Sequence, residues 1–378
     1  MKVAPEFASY PQAQPLRYPR WVAGGAGLLV LLVNSVLFGP WKGYEPMVVI
    51  SAAVSVFVLW LLLFLVCVLF YRFNRHNAQC FAETKQQIQQ AWWARHRQNV
   101  GLVDTVLLGP ACSKPEDRHS LFNPDHKPPK PKELPKGKAL HLDQVFGDES
   151  AERERKLAAL LVLQWREQLA EPLVLRPLSC YWQGSFEAWQ AFVEQMAKSC
   201  PQVLLPERAE PWQGIDSLDA IVDQLQGASA EARILCGGCQ SLQIPQGGHL
   251  PAGEGAVLWL LAPRGGVRLR RGEWHTAEVE SLTSVAERAL QQSALDDPPT
   301  LCVSFSQPDV AGLSDIGWNT RQNLQDANFG ALGDLEPMVV LTLAASHALH
   351  HGKPCAWLAH DPHHTLALGV VEPDDPSN

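Results

Sequence analysis

Two cysteines three apart, Cys236-Gly-Gly-Cys239, and two histidine groups, His347/His350/His351 and His360/His363/His364, carry the ligand-type spacings of this 378-residue chain. A Cys-x-x-Cys pair offers two thiolates to zinc, but a structural site needs a second Cys or His pair at suitable spacing, and none follows. Histidines three and four apart can share one helix face, yet His near a helix C-terminus is ordinary, since the helix dipole favours positive charge there. Ser217 stands beside Asp216 without the Gly-x-Ser-x-Gly turn that exposes a hydrolase nucleophile. Gly253-Glu-Gly255 is too short for a phosphate-cradling loop. Spacing alone therefore predicts no metal, no cofactor and no catalytic group.

The elements that must position these residues follow from hydropathy. Trp21 to Trp41 and Pro46 to Tyr71 carry no charge, and each is long enough for a hydrocarbon core that needs about 20 apolar residues. A cleaved signal peptide fits poorly, because the first apolar run begins late and no small-x-small site precedes the second. Lys2, Arg17 and Arg20 precede the pair, and Arg72, Arg75, Lys85, Arg95 and Arg97 follow it, whereas the connecting loop offers Lys42 beside Glu45. The positive-inside rule then puts both ends in the cytoplasm and the connecting loop outside. Nine cysteines without framework spacing suit a reducing compartment. A formal net charge of −8 gives no basic face for nucleic acid. The expected organisation is a tail (1–20), a two-helix transmembrane hairpin (21–71), a juxtamembrane helix with a Pro/Lys-rich linker (72–150) and a soluble domain (151–374).

Within that domain strands and helices alternate. A helix is predicted over Glu152–Ala170. Strands at Leu173–Trp182, Val203–Leu205, Arg233–Cys236 and Ala256–Leu261 enclose helices at Phe186–Ala197 and Leu218–Leu225. The pattern then recurs, with strands at Val267–Trp274, Leu301–Phe305, Cys355–Ala359 and Thr365–Val371 around helices at Leu282–Leu290 and Pro337–His350. Both halves read β-α-β-α-β-β, an α/β layered arrangement with buried sheets.

Arg233-Ile-Leu-Cys-Gly-Gly-Cys-Gln-Ser241 followed by Gly253-Glu-Gly-Ala-Val-Leu-Trp-Leu-Leu-Ala262 resembles the paired strands of thiolase-like proteins, in particular β-ketoacyl synthases. Gly330-Ala-Leu-Gly-Asp-Leu-Glu-Pro-Met338, with the helix and Gly352-Lys-Pro354 after it, is similar to a second segment of that family. The resemblance covers about half the chain and implies two similar halves in stacked α/β layers. In that family a Cys thiolate at a buried helix N-terminus accepts an acyl group, and two His, or a His and an Asn, assist. Matched motif by motif, Gly214 falls on the nucleophile and Asp334 on the His that follows a Gly. Ser306-Gln-Pro-Asp309 stands where the other His belongs. The resemblance thus implies lost catalysis.

Degenerate thiolase-like proteins with N-terminal membrane segments resemble accessory proteins of type VI secretion clusters. That implies an adaptor holding a secreted toxin or spike component at the phospholipid membrane, with homodimerisation through a sheet edge as a further expectation. The candidate partner face comprises Trp318, Phe329 and Asp334, near the turns Ser306–Asp309 and Asn328–Leu335. The rival is a membrane-tethered acyltransferase or synthase using a shifted thiol, Cys200 or Cys236. It would require a Cys at a helix N-terminus with a His within hydrogen-bond reach.

Overall fold

A computed structural model describes residues 5–11, 13–40, 44–135, 137–171, 173–243, 250–277, 279–307 and 310–374. Trp41, Lys42, Pro308 and Asp309 lie outside the described residues. The chain divides into two compact units, Met1–Ala94 and Arg95–Asn378.

The first unit holds α1 (Tyr18–Phe38) and most of α2 (Pro46–His96), both long and apolar enough to cross a membrane. Gly25 is why they pack: a Cβ there would lie 2.3 Å from the Trp60 ring, which also meets Trp21 at 6.3 Å. Small residues allow such close approach. α2 continues unbroken through the polar stretch after Tyr71. Its 51 residues span about 76 Å, well beyond a hydrocarbon core of about 30 Å.

The second unit runs β1 (Asn99–Leu108), α3 (Pro115–Ser120), β2 (Lys132–Leu134), β3 (Gly137–Leu140), α4 (Ser150–Gln168), β4 (Cys180–Gln183) and α5 (Phe186–Ser199). Next come β5 (Glu210–Pro211), α6 (Ile215–Leu225), β6 (Ile234–Ser241), β7 (Ala252–Ala262), β8 (Val267–Arg270) and β9 (Glu273–His275). It closes with α7 (Leu282–Gln292), β10 (Cys302–Ser304), α8 (Ala311–Asp315), α9 (Asp326–Phe329), α10 (Glu336–His351), β11 (Cys355–His360) and β12 (Leu366–Pro373). The strand order is β10-β11-β12-β8-β1-β7-β6-β4-β5.

β1 explains why this is one sheet. It pairs antiparallel with β7 on one side and β8 on the other, joining the two halves. The repeat is accordingly longer than the sequence predicts. β1 relates to β7 as β8 relates to β12, so β1 and α4 open the first half, and the compact unit begins at Arg95 rather than 151. The expected 267–274 strand is broken at Gly272, where φ is +66°. The strand expected from 173 shrinks to β4, with Leu175 bridging Val203.

Side-chain alternation then sorts the core into layers. Ile234 and Cys236 of β6, Val257, Trp259 and Leu261 of β7, and Cys355, Trp357 and Ala359 of β11 face a central core holding α6 and α10. Leu235, Cys239, Ala256 and Leu258 face the opposite way, onto α4 and α5. In the second half Ala356, Leu358, Leu368 and Val370 cover α7. In β1 a register shift between Leu102 and Asp104 swaps faces, so Leu102 and Leu107 serve the central core while Val106 and Leu108 serve the outer one. α10 is buried almost all round from Pro337 to Ala345, as an all-apolar helix must be. α6 buries one face through Leu218, Ile221, Val222 and Leu225.

Within Gly253-Glu-Gly255 the first two residues have separate tasks. A Cβ on Gly253 would meet the Phe329 carbonyl oxygen at 2.2 Å, so glycine alone lets β7 pass the 329–331 turn. Glu254, fully buried, takes Arg153 of α4 in a two-pronged pair (2.8 and 2.6 Å), accepts from Ser241 Oγ at 3.2 Å and from the Leu142 N–H. Removing one member of a buried pair leaves the other charge unpaired and costs about 3–5 kcal/mol. Glu254→Gln should lower unfolding free energy by about that amount, read as a reduced denaturant midpoint, and Arg153→Met added to it should recover part of the loss. Equal midpoints for parent and E254Q would refute this anchoring role.

Candidate functional site

The N-termini of α6 and α10 lie at the carboxyl ends of the parallel strand pairs β4–β5 and β10–β11, the usual place for a crevice in α/β sheets. Each helix end presents backbone N–H groups without intrahelical acceptors. At α6 the acceptor is Asp361, from the β11–β12 turn and only 1% exposed. Its Oδ1 accepts from the Ile215 N–H at 2.9 Å, and its Oδ2 from His364 Nδ1 at 2.7 Å. His364 stacks on Trp274 with ring centroids 4.1 Å apart.

Gly214 is the residue just before α6, with φ +60°. A Cβ there would stand 2.1 Å from Asp361 Oδ1 and 2.8 Å from Pro362 Cδ. Backbone conformation and a buried carboxylate both exclude a side chain at this position. Ser217, one turn in, is engaged otherwise: its Oγ accepts from the Gln213 N–H at 2.8 Å.

At α10, Asp334 is exposed on a 3-10 turn (Gly333–Leu335). The Leu335 N–H donates to Gln240 Oε1 at 3.2 Å. The first residue of the helix, Glu336, accepts from the His360 N–H at 2.9 Å and from Gln307 Nε2. Ser306 is held by Asp326, whose Oδ2 accepts from both its N–H and its Oγ at 2.9 Å. Asp361, Glu336, Gln307 and Asp326 were not singled out from the sequence. The available signals were Asp361-Pro362 directly after a strand and Glu336-Pro337 at a helix start.

The structure corrects the proposed partner face. Trp318 is 1% exposed and Phe329 is fully buried, so neither side chain can meet a partner. Trp318 fills the core under α7. Phe329 lies against Gly109, where a Cβ would come within 2.3 Å of its ring, and 6.3 Å from Phe305. Of that trio Asp334 alone is exposed.

The shifted-thiol positions also fall in the wrong places. Cys200 caps the C-terminus of α5, the end whose dipole disfavours a thiolate. Cys236 and Cys239 face different cores, so they cannot share a metal ion, and burial pushes both thiols well above their ordinary range. His347, His350 and His351 do gather at the α10 C-terminus, with His119 of α3 stacked 3.8 Å from His350. Burial, helped by these neighbours, pushes His347 down to about 4. Among the described residues no group of three or more ligands has an arrangement suited to a metal. His364 is brought instead to Asp361, at the other end of α10.

No protein-family model matches the sequence, and no curated relative matches it. Solved structures do. The ishigamide ketosynthase/chain length factor aligns at a TM-score of 0.50 and 14% identity, over 73% of this chain and 99% of that one. ChlB3, described as an acyltransferase, aligns at 0.47 and 15%, over 74% and 99%. The 3-oxoacyl-(acyl carrier protein) synthase III FabH of Xanthomonas oryzae pv. oryzae aligns at 0.44 and 13%, over 73% and 99%. At such identities the likeness concerns the fold alone: the chain carries a thiolase-like α/β fold.

Glu336 gives the site a pH dependence. Burial, with Asp326 adding, raises its carboxyl to about 7 from an ordinary 4.5, against the pull of the His360 N–H and Gln307. A folded-state pKa above the unfolded one gives stability that is full below about pH 4.5 and lost as pH rises through about 7. The loss amounts to about 3 kcal/mol at most. Glu336→Gln should flatten this slope, matching the parent near pH 5 and exceeding it at pH 8 in denaturant midpoint. Parallel parent and variant profiles would refute it.

Proposed function

We propose that the chain is a non-catalytic thiolase-like protein anchored in the bacterial inner membrane by α1 and α2, serving as an adaptor for a secreted toxin of a type VI secretion system. The observation that carries the loss of catalysis is Gly214. At the helix end where the resemblance calls for a thiolate, the backbone takes φ +60° and Asp361 fills the space a side chain would need. Asp361 also accepts the Ile215 N–H, so the hydrogen-bonding capacity that would stabilise a thiolate there serves a structural carboxylate.

The membrane placement is supported by two helices of sufficient length and apolarity, and cytoplasmic ends by the arginines flanking them. The secretion role rests on the resemblance to accessory proteins with membrane segments. A tether of this kind raises the effective concentration of a captured partner at the secretion apparatus. The names of the structural neighbours favour acyl condensation as the second reading, but every described cysteine outside α2 whose pKa shifts is moved upward, with burial as the leading cause.

Incubation with cerulenin or an acyl thioester, followed by intact mass measurement, should give no covalent adduct. An acyl adduct on any cysteine would overturn the non-catalytic reading. Independently, the full-length chain purified from its host membrane should bring down the toxin encoded beside it, and a chain lacking residues 1–94 should bring down at least tenfold less. Failure of the full-length chain to capture that toxin would sink the adaptor role while leaving the loss of catalysis untouched.

A further inference from the structure

At the far end of α10 from Glu336 lies a cavity of about 660 Å³. Its lining residues Ser346, Leu349 and His350 are 10 to 14 residues along the helix, roughly 15–21 Å from the α10 N-terminus. The volume is within the range of small-molecule sites, about 300–1,000 Å³. Its walls differ in character. Leu102, Val267, Ala345 and Leu349 supply apolar surface, while Thr105, Arg118, His119, Gln164 and Gln168 supply polar groups.

Three nitrogen atoms on the polar side are buried without a hydrogen-bond partner among the described residues: Arg118 Nε, Gln168 Nε2 and His119 Nδ1. Two are obligate donors in the forms shown, so the surplus is of donors. Arg118 is 4% exposed, and its Nη1 and Nη2 bond to Thr105 Oγ1 (2.8 Å) and the Thr105 carbonyl (3.1 Å), both neutral acceptors. Half-buried Asp104, also in the cavity lining, is a counter-charge to it, but its oxygens already accept from Trp165 Nε1 and the Thr105 N–H at 2.8 Å. Burial lowers the Arg118 pKa and raises that of Asp104, outweighing the attraction between the two. Glu116 and Glu167 also line the cavity, as do Lys114 and His350, and all four are exposed. A buried, under-neutralised guanidinium with spare donors calls for an anion, and the apolar wall calls for a hydrocarbon body beside it.

We propose that this cavity binds a small amphipathic oxyanion, a carboxylate or phosphate carrying a short alkyl or acyl body, with the head toward Arg118 and Gln168 and the body along Leu102, Val267 and Leu349. The site is separate from the degenerate centre at Gly214 and does not depend on the adaptor reading.

Calorimetric titration of the full-length chain in amphipol tests it, using hexanoate, hexyl phosphate, inorganic phosphate and hexanol. Hexanoate or hexyl phosphate should bind with a Kd on the order of 0.1–1 mM, as expected for ligands of this size. Inorganic phosphate and hexanol should each bind at least tenfold more weakly. Gln168→Glu, a half-buried position that places a negative charge at the head, should weaken binding at least tenfold with an unchanged melting temperature. Leu349→Asp, at an exposed wall position, should do the same through the body. Arg118→Lys serves as a further variant where it folds. Absence of binding by both amphiphiles overturns the proposal, as does unchanged affinity in Q168E and L349D. Equal binding of phosphate and hexyl phosphate overturns the apolar half, and equal binding of hexanol overturns the oxyanion.

Discussion

Helices α6 and α10 are enclosed between the two halves of the sheet, and a helix end sealed from water must find acceptors for its free N–H groups within the protein. Asp361 meets this demand at α6 and Gln240 meets it just before α10. Once a carboxylate occupies the α6 end, the residue before the helix has no room for a side chain and Gly214 becomes obligatory. The same turn then orients His364, which closes over Trp274. The α6 terminus is thus finished as part of the core.

The layers depend on strands that serve two cores at once. Because alternate residues face opposite sides, a single strand such as β7 commits Trp259 to the central core and Leu258 to the outer one. Glu254 at the start of the same strand ties in α4 through Arg153 and the 142 backbone through its N–H. A change of phase anywhere in β7 would exchange its two faces and detach both helix layers. That is a strong reason for small, exact-fitting residues flanking Glu254.

Elements with strong periodicity were legible in the sequence. α4, α5, α6, α7 and α10 fall within a few residues of expectation, as do β10, β11 and β12, because their apolar spacing is set by the burial that forms them. β1 was not legible as a member of the domain: its partners lie about 150 residues along the chain, and nothing local records them. Gly214 drew attention through the resemblance, and it lies just before α6 at φ +60°; Asp361 did not, since a carboxylate in a turn ordinarily faces solvent. Trp318 and Phe329 misled for the opposite reason. Trp318 sits in an irregular segment and Phe329 ends the four-residue α9, so neither has a period to reveal burial, and both turn inward to fill gaps beside α7 and Gly109.

β1 also has a consequence for biosynthesis. It follows directly on α2, yet its two neighbours in the sheet are β7 and β8, which span residues 252–270. At a synthesis rate of about 5–20 residues per second, a strand apolar on both faces waits roughly 8–30 s for its partners. Throughout that interval it offers two unpaired edges, the kind of surface that invites wrong pairings. Nascent chains of this protein therefore carry β1 unpaired until residues 252–270 have been made, and anything that keeps neighbouring copies apart in that interval favours the correct pairing.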